Sequence, residues 1–197
     1  MEQKFGNNSV DLQRLREFCE QEGEVVTYRK GEQFEREGDP ARWFAFVIEG
    51  CFKYVKYGTI DNREHINWFS FEGEVVCDYP RPLYGLPAHR TIEAMMPSRV
   101  LRISGEQLNQ FFSQNTEMME LRIAISEHIL DQFTARYTEL HSATPLERYN
   151  LLMKRCPGIV ELLSLKDIAS FLNVTPTYLS KIRKEITFDG KRKQKTI

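Results

Sequence analysis

A short stretch near the C-terminus, TPTYLSKIRKEI, carries the side chains best suited to binding a polar partner. Thr177, Lys181 and Lys184 recur at i, i+4 and i+7, so they share one face of a helix, with Tyr178 and Ser180 on its flanks. Hydroxyl and ammonium groups hydrogen-bond to base edges and neutralise phosphates, which suits this face to the major groove of DNA. The competing interpretation is an amphipathic helix whose basic face is merely solvated.

Two helix start signals lie on either side of a very short connection in the segment LSLKDIASFLNVTP. Ser164 precedes Asp167 by three residues, as in a capping box, and Thr175 is followed by Pro176, which fits an N-cap and a first helical position. Asn173 lies between the helices, where a left-handed residue is often needed and Asn tolerates it. The pattern predicts a helix-turn-helix. The residues expected to pack inside it are Ile168, Ala169, Leu172, Leu179, Ile182 and Ile186.

Charge is divided unevenly along the 197 residues, although the net charge of the chain is only −1. Residues 1–141 contain 16 Lys and Arg against 23 Asp and Glu, whereas residues 142–197 contain 11 against 5. The basic end includes the predicted helix-turn-helix and the GKRKQK tail, whose lysines are expected to neutralise phosphates. This asymmetry favours a module that binds double-stranded DNA, attached to a part with a different task.

The N-terminal part has the pattern of an antiparallel β-roll. Between residues 24 and 103, short segments rich in Val, Ile and aromatic residues alternate locally and are separated by Gly and Pro signals. The stretch YPRPLYGLPAH, residues 79–89, interrupts this pattern as one irregular excursion. We therefore predict an α+β chain that begins with a jelly-roll-like β-roll.

After Gly105 the apolar residues recur every three or four positions, which predicts one long helix. Met119, Ile123 and Leu130 lie beside the main apolar stripe. A helix with so wide an apolar surface packs on its own roll, pairs with a second copy, or does both, and we expect a homodimer. The stripe comprises Met118, Leu121, Ile125, Ile129, Phe133, Tyr137 and Leu140.

These patterns divide the chain into three predicted parts. They are a roll with an N-terminal helix at residues 1–113, a dimerisation helix at 114–141, and a helix-turn-helix domain at 142–197. No secretory segment and no apolar run near the roughly 18 residues of a membrane span occurs, so we expect a cytoplasmic protein without membrane contact. The four cysteines are scattered singly, and neither a metal nor a cofactor is expected.

Two segments resemble one family of regulators. LKDIASFLNVTPTYLSKIRKEI is similar to the helix-turn-helix of the cyclic-AMP receptor/fumarate-nitrate regulator (CRP/FNR) family, and GEQFEREGDPARWFAFVIEGCFKYVK is similar to its first strands. The resemblance covers nearly the whole chain. It implies a cyclic-nucleotide-binding-type roll, a homodimer, a palindromic operator, RNA polymerase as a further partner, and a small-molecule effector of unknown identity.

The resemblance also assigns roles on the second helix of the motif. The base-reading positions of the family fall on Pro176, Thr177 and Lys181. Pro176 stands where many members have Arg, so a guanine contact is lost and a different target sequence is expected. The winged hairpin that usually follows is shortened to TFDGKRKQKTI.

The cyclic-nucleotide cassette of the family is altered here. Its Gly-Glu and Arg-Ser pairs correspond to Cys77-Asp78 and Arg90-Thr91, and Cys77 places a side chain where the backbone should approach the sugar. On the long helix, Phe133 and Thr134 replace the Thr-Ser pair that touches the purine. The resemblance therefore implies an effector pocket at Asp78, Arg90, Thr91, Phe133 and Thr134, with a ligand other than cyclic AMP.

Two other classes of function remain open at the level of sequence. One is a ligand-binding or protein-interaction module whose helical hairpin contacts no DNA. The other is a cupin-like enzyme, although the chain has no H-x-H pair, no G-x-S-x-G elbow, no P-loop and no G-x-G-x-x-G. No catalytic residue is assigned, and we expect no enzymatic activity.

Overall fold

The computed structural model describes residues 10–58 and 63–194, with side chains as far as Ile186. The chain forms two compact units, Met1–Thr134 and Ala135–Ile197. Within the described residues, no helix is both long and apolar enough to cross a membrane.

Over its described residues, the first unit is a roll of eight strands with helices at both ends of its sequence. Two four-stranded antiparallel sheets have the orders β1-β8-β3-β6 and β2-β7-β4-β5. This arrangement confirms the predicted β-roll. The elements are α1 (Gln13–Glu22), β1 (Glu24–Tyr28), β2 (Gln33–Glu35), β3 (Trp43–Glu49), β4 (Cys51–Tyr57), β5 (Glu64–Phe71), β6 (Val75–Cys77), a 3-10 turn (Arg81–Tyr84), β7 (Thr91–Ala94), β8 (Ser98–Ser104), α2 (Gly105–Phe112) and α3 (Thr116–Ser142), which ends in the second unit.

The roll has two buried clusters that follow from the alternation of its strands. Phe52, Tyr54 and Ile92 belong to a cluster between the two sheets, whereas Phe44 and Phe46 face α1, α2 and the first half of α3. Successive residues of β3 lie in different clusters, so both faces of this strand are buried. Its sequence is therefore a continuous apolar run.

Two glycines allow close backbone approach in the roll. Gly50 joins β3 to β4 with a φ of 90°, and a Cβ there would lie 2.2 Å from Ser98 Oγ. Gly105 begins α2, and a Cβ would lie 1.9 Å from the carbonyl oxygen of Pro82 in the proline-rich excursion. The excursion is thus held directly against the start of α2.

The first half of α3 packs on the roll along one face. Met118 and Ile125 are buried in the cluster that α1 and α2 share, and Leu121 and Ile129 are partly buried against it. A second set of apolar side chains on α3 is exposed in the single chain. This set is Met119, Ile123, Leu130, Phe133 and Tyr137, which are 41–66% exposed.

The second unit contains the remaining helices. Thr144 caps α4 by a capping box with Glu147, and Ser164 accepts a hydrogen bond from Asp167 N of 3.1 Å at the start of α6. Asn173 has a φ of 54°, and Thr175 Oγ1 accepts from Tyr178 N at 3.2 Å, so the predicted turn and both predicted caps are confirmed. The helices are α4 (Pro145–Arg155), α5 (Ile159–Leu162), α6 (Leu165–Phe171) and α7 (Pro176–Gln194).

Two expectations for the end of the chain need correction. Ile186 is 38% exposed instead of inward-facing, because α6 has only seven residues and α7 extends beyond it after Ile182. The backbone of the segment interpreted as a shortened wing continues α7 as far as Gln194. Extending an existing helix needs no new nucleus, whereas so short a hairpin would lack a sheet to pack on.

Candidate functional site

The predicted recognition helix presents its polar face to solvent. Pro176, Thr177 and Lys181 are exposed, as are Thr175 and Lys184. Tyr178 is 46% exposed and Ser180 is partly buried. The lysines of the GKRKQK tail lie outside the side chains that the structure describes.

The opposite face of the recognition helix holds it on α6. Leu179 and Ile182 are buried, and they pack in the same unit as Ile168 and Leu172, which are 1% and 0% exposed. Ala169 is also fully buried, as expected of a residue that packs inside the motif. The two faces of α7 thus divide cleanly into packing residues and residues available to a partner.

Arg136 from the second half of α3 contacts the first helix of the motif. Its Nη2 donates to the carbonyl oxygen of Phe171, its Nη1 lies 2.9 Å from Glu139 Oε1, and its guanidinium carbon lies 3.9 Å from the centroid of the Phe171 ring. Because Phe171 is the last residue of α6, the arginine binds the negative end of that helix. Burial lowers the pKa of Arg136, since a buried cation is poorly solvated, and the nearby positive charges of Arg155 and Arg148 add to this.

A second polar cluster lies in the roll and centres on Arg90. Its Nε is 2.9 Å from Asp78 Oδ1, in an ion pair whose side chains are 14% and 1% exposed. The other carboxylate oxygen of Asp78 accepts from His89 N at 2.6 Å, and Arg90 Nη1 donates to Asn67 Oδ1 at 3.2 Å. Both oxygens of the buried carboxylate therefore have donors from the chain itself.

Aromatic rings lie beside the same guanidinium. The guanidinium carbon of Arg90 is 5.4 Å from the ring centroid of Tyr54 and 5.3 Å from that of Phe133, distances typical of cation–π contacts. The Trp68 ring lies 5.9 Å from Phe133. Burial raises the pKa of the Tyr54 phenol, so this ring stays neutral. We call Tyr54, Asn67, Asp78 and Phe133, which surround the guanidinium, the Arg90 cage.

A β-bulge brings Asn67 into this cage. Tyr54 of β4 pairs with Trp68 of β5, whereas the next residue, Val55, pairs with Ile66, so Asn67 is an extra residue opposite the two. Bulges re-aim side chains, and here the amide of Asn67 reaches the guanidinium. No pattern in the sequence predicts this bulge, because a bulge depends on the register of two strands.

The structure brings together three of the five residues predicted for the effector pocket. Asp78, Arg90 and Phe133 are in the cluster, whereas the Thr91 hydroxyl accepts from Glu37 N at 3.1 Å and the Thr134 hydroxyl donates to Leu130 O at 2.8 Å. Three residues were missed, namely Tyr54, Asn67 and Trp68. Tyr54 and Trp68 belong to alternating strand patterns that indicate a core and nothing more.

Cys77 differs from its expected place. Its side chain is 9% exposed and belongs to the cluster that contains Phe44 and Phe46, and its pKa is raised well above the ordinary thiol value by burial. The alternation of β6 turns Cys77 into the core. Among the described residues, no group of His, Cys, Asp and Glu could hold a metal ion.

The proline-rich excursion is also fastened to α3 within the first unit. Tyr79 Oη lies 3.0 Å from Ser126 Oγ, and Tyr84 Oη accepts a hydrogen bond from Arg122. The helix residues 122, 126 and 133, which meet Tyr84, Tyr79 and Arg90, are separated by four and seven positions, so they lie along one side of α3. The proline-rich excursion and Arg90 therefore contact α3 at three places along its length.

Comparison with known proteins shows what the roll is similar to. Residues 25–115 match the family of the cyclic nucleotide-binding domain. Among curated proteins, no match is found. The matched segment spans all the described strands of the roll except the first residue of β1.

Solved structures share the fold over most of the chain. FixK2 from Bradyrhizobium japonicum has a TM-score of 0.73 and 22% identity, with 85% of this chain and 86% of that chain covered. CLP from Xanthomonas campestris, a c-di-GMP responsive global regulator, has a TM-score of 0.66 and 18% identity, with 91% and 93% covered. CprK complexed with OCPA has a TM-score of 0.64 and 18% identity, with 92% and 87% covered. These structures confirm the fold that the resemblance to CRP/FNR regulators implied.

Proposed function

We propose that the protein is a homodimeric transcription regulator of the CRP/FNR type that binds a palindromic operator in double-stranded DNA. The observation that carries this proposal is α7, whose buried face holds it on α6 while Thr177, Lys181 and Lys184 are exposed near a capped N-terminus. Helices of this kind enter the major groove with their first turns against the base edges. The acidic first part and basic last part of the chain support the same division of labour.

The second half of the proposal is a dimer formed through α3. Leu130 and Tyr137 are 66% and 65% exposed in the single chain, on the side of the helix away from Met118 and Ile125. Apolar side chains on an otherwise packed helix favour a second copy as partner, since dimers align two recognition helices with two half-sites about 34 Å apart. RNA polymerase would then be a further partner at the promoter.

The effector that we propose is a molecule other than cyclic AMP. In the family cassette the acidic residue takes the ribose hydroxyl, but both oxygens of Asp78 already accept hydrogen bonds from Arg90 and His89. CLP responds to c-di-GMP and CprK is complexed with OCPA, so proteins of this fold have ligands of different chemistry. The shared fold alone therefore selects no effector.

The test of DNA binding starts from operator sequences selected by the full-length protein from random duplexes. We expect Lys181→Ala to weaken binding to the selected operator by roughly 5- to 150-fold and to relax the preference at one base pair. Binding is measured by fluorescence anisotropy at several salt concentrations. Lys30→Ala removes the same charge from an exposed position in the roll and serves as the control.

The two rival classes predict different results in this assay. An interaction module without DNA binding would select no sequence and would show no salt-dependent affinity for duplex DNA. If Lys181→Ala weakened binding to selected and random duplexes equally, Lys181 would contact phosphate and would not read a base.

A further inference from the structure

We propose that the Arg90 cage is a site for a planar cation and that the chain fills this site with its own arginine, which acts as an intramolecular ligand. Arg90 then holds the roll on α3 and keeps the regulator competent for DNA without a diffusible nucleotide. The statement about DNA rests on the function proposed above. The cage itself consists only of contacts within the first unit, between the roll and α3.

The polar groups of the cage all suit a cation with several N–H donors. Asp78 contributes a carboxylate that is 1% exposed, and Asn67 contributes an amide oxygen. Two different nitrogens of the guanidinium, Nε and Nη1, are matched to these two acceptors at 2.9 and 3.2 Å. A fixed fork of donors is the property that separates a guanidinium from an ammonium group.

The walls of the cage suit the flat shape of the same ion. The rings of Tyr54 and Phe133 lie at similar distances, 5.4 and 5.3 Å, from the guanidinium carbon. Tyr54 is 4% exposed and belongs to the core of the roll, whereas Phe133 belongs to α3 and is 41% exposed. One ion therefore contacts both the roll and the helix that we assign to the dimer, so loss of the ion would loosen that connection.

A phosphate would meet unfavourable charge in this place. Asp78 is 1% exposed and its carboxylate pairs with Arg90, so a phosphate bound at Arg90 would face a buried negative charge. Glu35, which is 6% exposed, is a second buried carboxyl close enough to feel the charge of Asp78. Two buried carboxyl groups that raise each other's electrostatic cost disfavour any ligand that brings further negative charge to Asp78.

The first experiment removes the internal ligand and offers a substitute. Arg90→Ala leaves the four groups of the cage in place, and ethylguanidinium supplies the missing planar cation. We expect the variant to melt roughly 5–10 °C below the wild type. Millimolar ethylguanidinium should restore at least half of this difference, and ethylammonium at equal concentration should restore less, because it lacks the flat fork of donors.

The emission of Trp68 reports whether Phe133 of α3 stays packed beside Arg90, and a Trp43→Phe background leaves Trp68 as the single tryptophan. Its ring lies 5.9 Å from Phe133, so loosening of Phe133 should shift the emission to the red, and ethylguanidinium should reverse the shift. Arg99→Ala is the matched control. It removes a roll arginine whose ion pair with Glu49 spans 3.9 Å and is half-exposed or more on both sides, and we expect no change.

A conservative variant keeps the test decisive if Arg90→Ala does not fold. Arg90→Lys preserves the charge opposite Asp78 but not the planar fork, so it should fold and still shift the Trp68 emission. Emission and DNA affinity identical to the wild type would overturn the requirement for a planar cation. Failure of ethylguanidinium to act on folded Arg90→Ala would overturn it as well.

Melting with nucleotides and binding to DNA test the cage and the proposed function separately. Cyclic AMP and cyclic di-GMP should leave the melting temperature of the wild type unchanged, and a saturable increase with either would overturn the internal-ligand proposal while DNA binding stands. Arg90→Ala should bind the selected operator at least 10-fold more weakly, with recovery in ethylguanidinium. Unchanged operator affinity would overturn the link to DNA. Rescue of the cage in a protein that binds no duplex would support the cage and contradict the proposed function.

Discussion

Glu35 is a carboxylate whose burial serves the backbone of the roll. Its Oε1 accepts hydrogen bonds of 2.8 Å from both Arg42 N and Trp43 N, where the chain enters β3. Burial raises the pKa of Glu35 above the ordinary value of 4.5, the two N–H donors oppose this, and the negative charge of Asp78 adds to it. Glu35 thus stabilises the fold as a hydrogen-bond acceptor, whereas its buried negative charge is destabilising.

Glu35→Gln keeps an acceptor oxygen and removes the titration, so it should change how stability depends on pH. In the wild type the unfolded chain loses its proton near pH 4.5 and the folded chain at a higher pH, so stability falls as pH rises through this window. We therefore expect the difference in melting temperature, Glu35→Gln minus wild type, to increase as the pH is raised from 4 to 7. Calorimetry across this range measures it.

Glu72→Gln is the control, because it makes the same substitution at an exposed position of the roll. Parallel pH curves for Glu35→Gln and the wild type would contradict the raised pKa of Glu35.

Single residues also show where sequence reasoning works. Asn173 was predicted to adopt a left-handed conformation because it stands between two capped helices, and local chemistry decides that question. Asp78 and Arg90 were assigned by resemblance as ligand-binding groups, yet the structure pairs them with each other. Such a pairing depends on how two distant segments meet, so no local pattern contains it.

Among the elements, the second half of α3 is joined to α6 by one buried arginine. Arg136 donates to the final carbonyl group of α6 and stacks on the ring of the residue that carries it. Its Nε is buried without a partner, and burial together with the charges of Arg155 and Arg148 lowers its pKa. The contact therefore combines a favourable helix-end interaction with a substantial cost of desolvation.

Arg136→Ala should lower the free energy of unfolding of the second unit by about 2 kcal/mol, because it removes a charged hydrogen bond and a stacked side chain. It should also weaken operator binding, since α6 supports the recognition helix. Urea unfolding followed by circular dichroism measures the first effect and anisotropy the second.

Arg14→Ala provides the comparison for Arg136, because its ion pair with Glu117 is 60% exposed on both sides and should contribute less than about 1 kcal/mol. Equal losses for the two variants would show that the contact with Phe171 adds nothing beyond a surface pair.

The elements differ in how well the sequence predicted them. Caps and apolar spacing gave the helix-turn-helix and the long helix, since these signals act within a few residues. The prediction of a shortened wing was wrong over the described backbone, where α7 continues instead. The choice between a hairpin and a continued helix depends on packing partners that no local pattern contains. Ile186 followed the helical spacing but lies beyond the end of α6.

At the scale of the whole molecule, the exposed apolar side of α3 should decide the oligomeric state. Leu130 is its most exposed member, and burying it against a second copy would be worth about 1.5–3 kcal/mol. Leu130→Arg should therefore weaken dimerisation by at least about 10-fold and reduce operator binding accordingly. Analytical ultracentrifugation over a range of protein concentrations measures the dimer dissociation constant.

Asp131→Arg introduces the same side chain about 100° further round the helix, at an exposed position away from the apolar side. It should leave the dimer constant nearly unchanged. A dimer that tolerates Leu130→Arg as well as Asp131→Arg would place the interface elsewhere.

The extra residue in β5 makes the Arg90 cage sensitive to the length of one strand. A one-codon deletion beside Asn67 would restore regular alternation and turn the amide away from Arg90, while the β4–β5 pairing could close up around the gap. Arg90 would then lack one of its two acceptors, and its Nη1 would be available to another molecule. A lineage could thus pass between an internally satisfied roll and a responsive one through the length of one strand, with every cage residue retained in its gene.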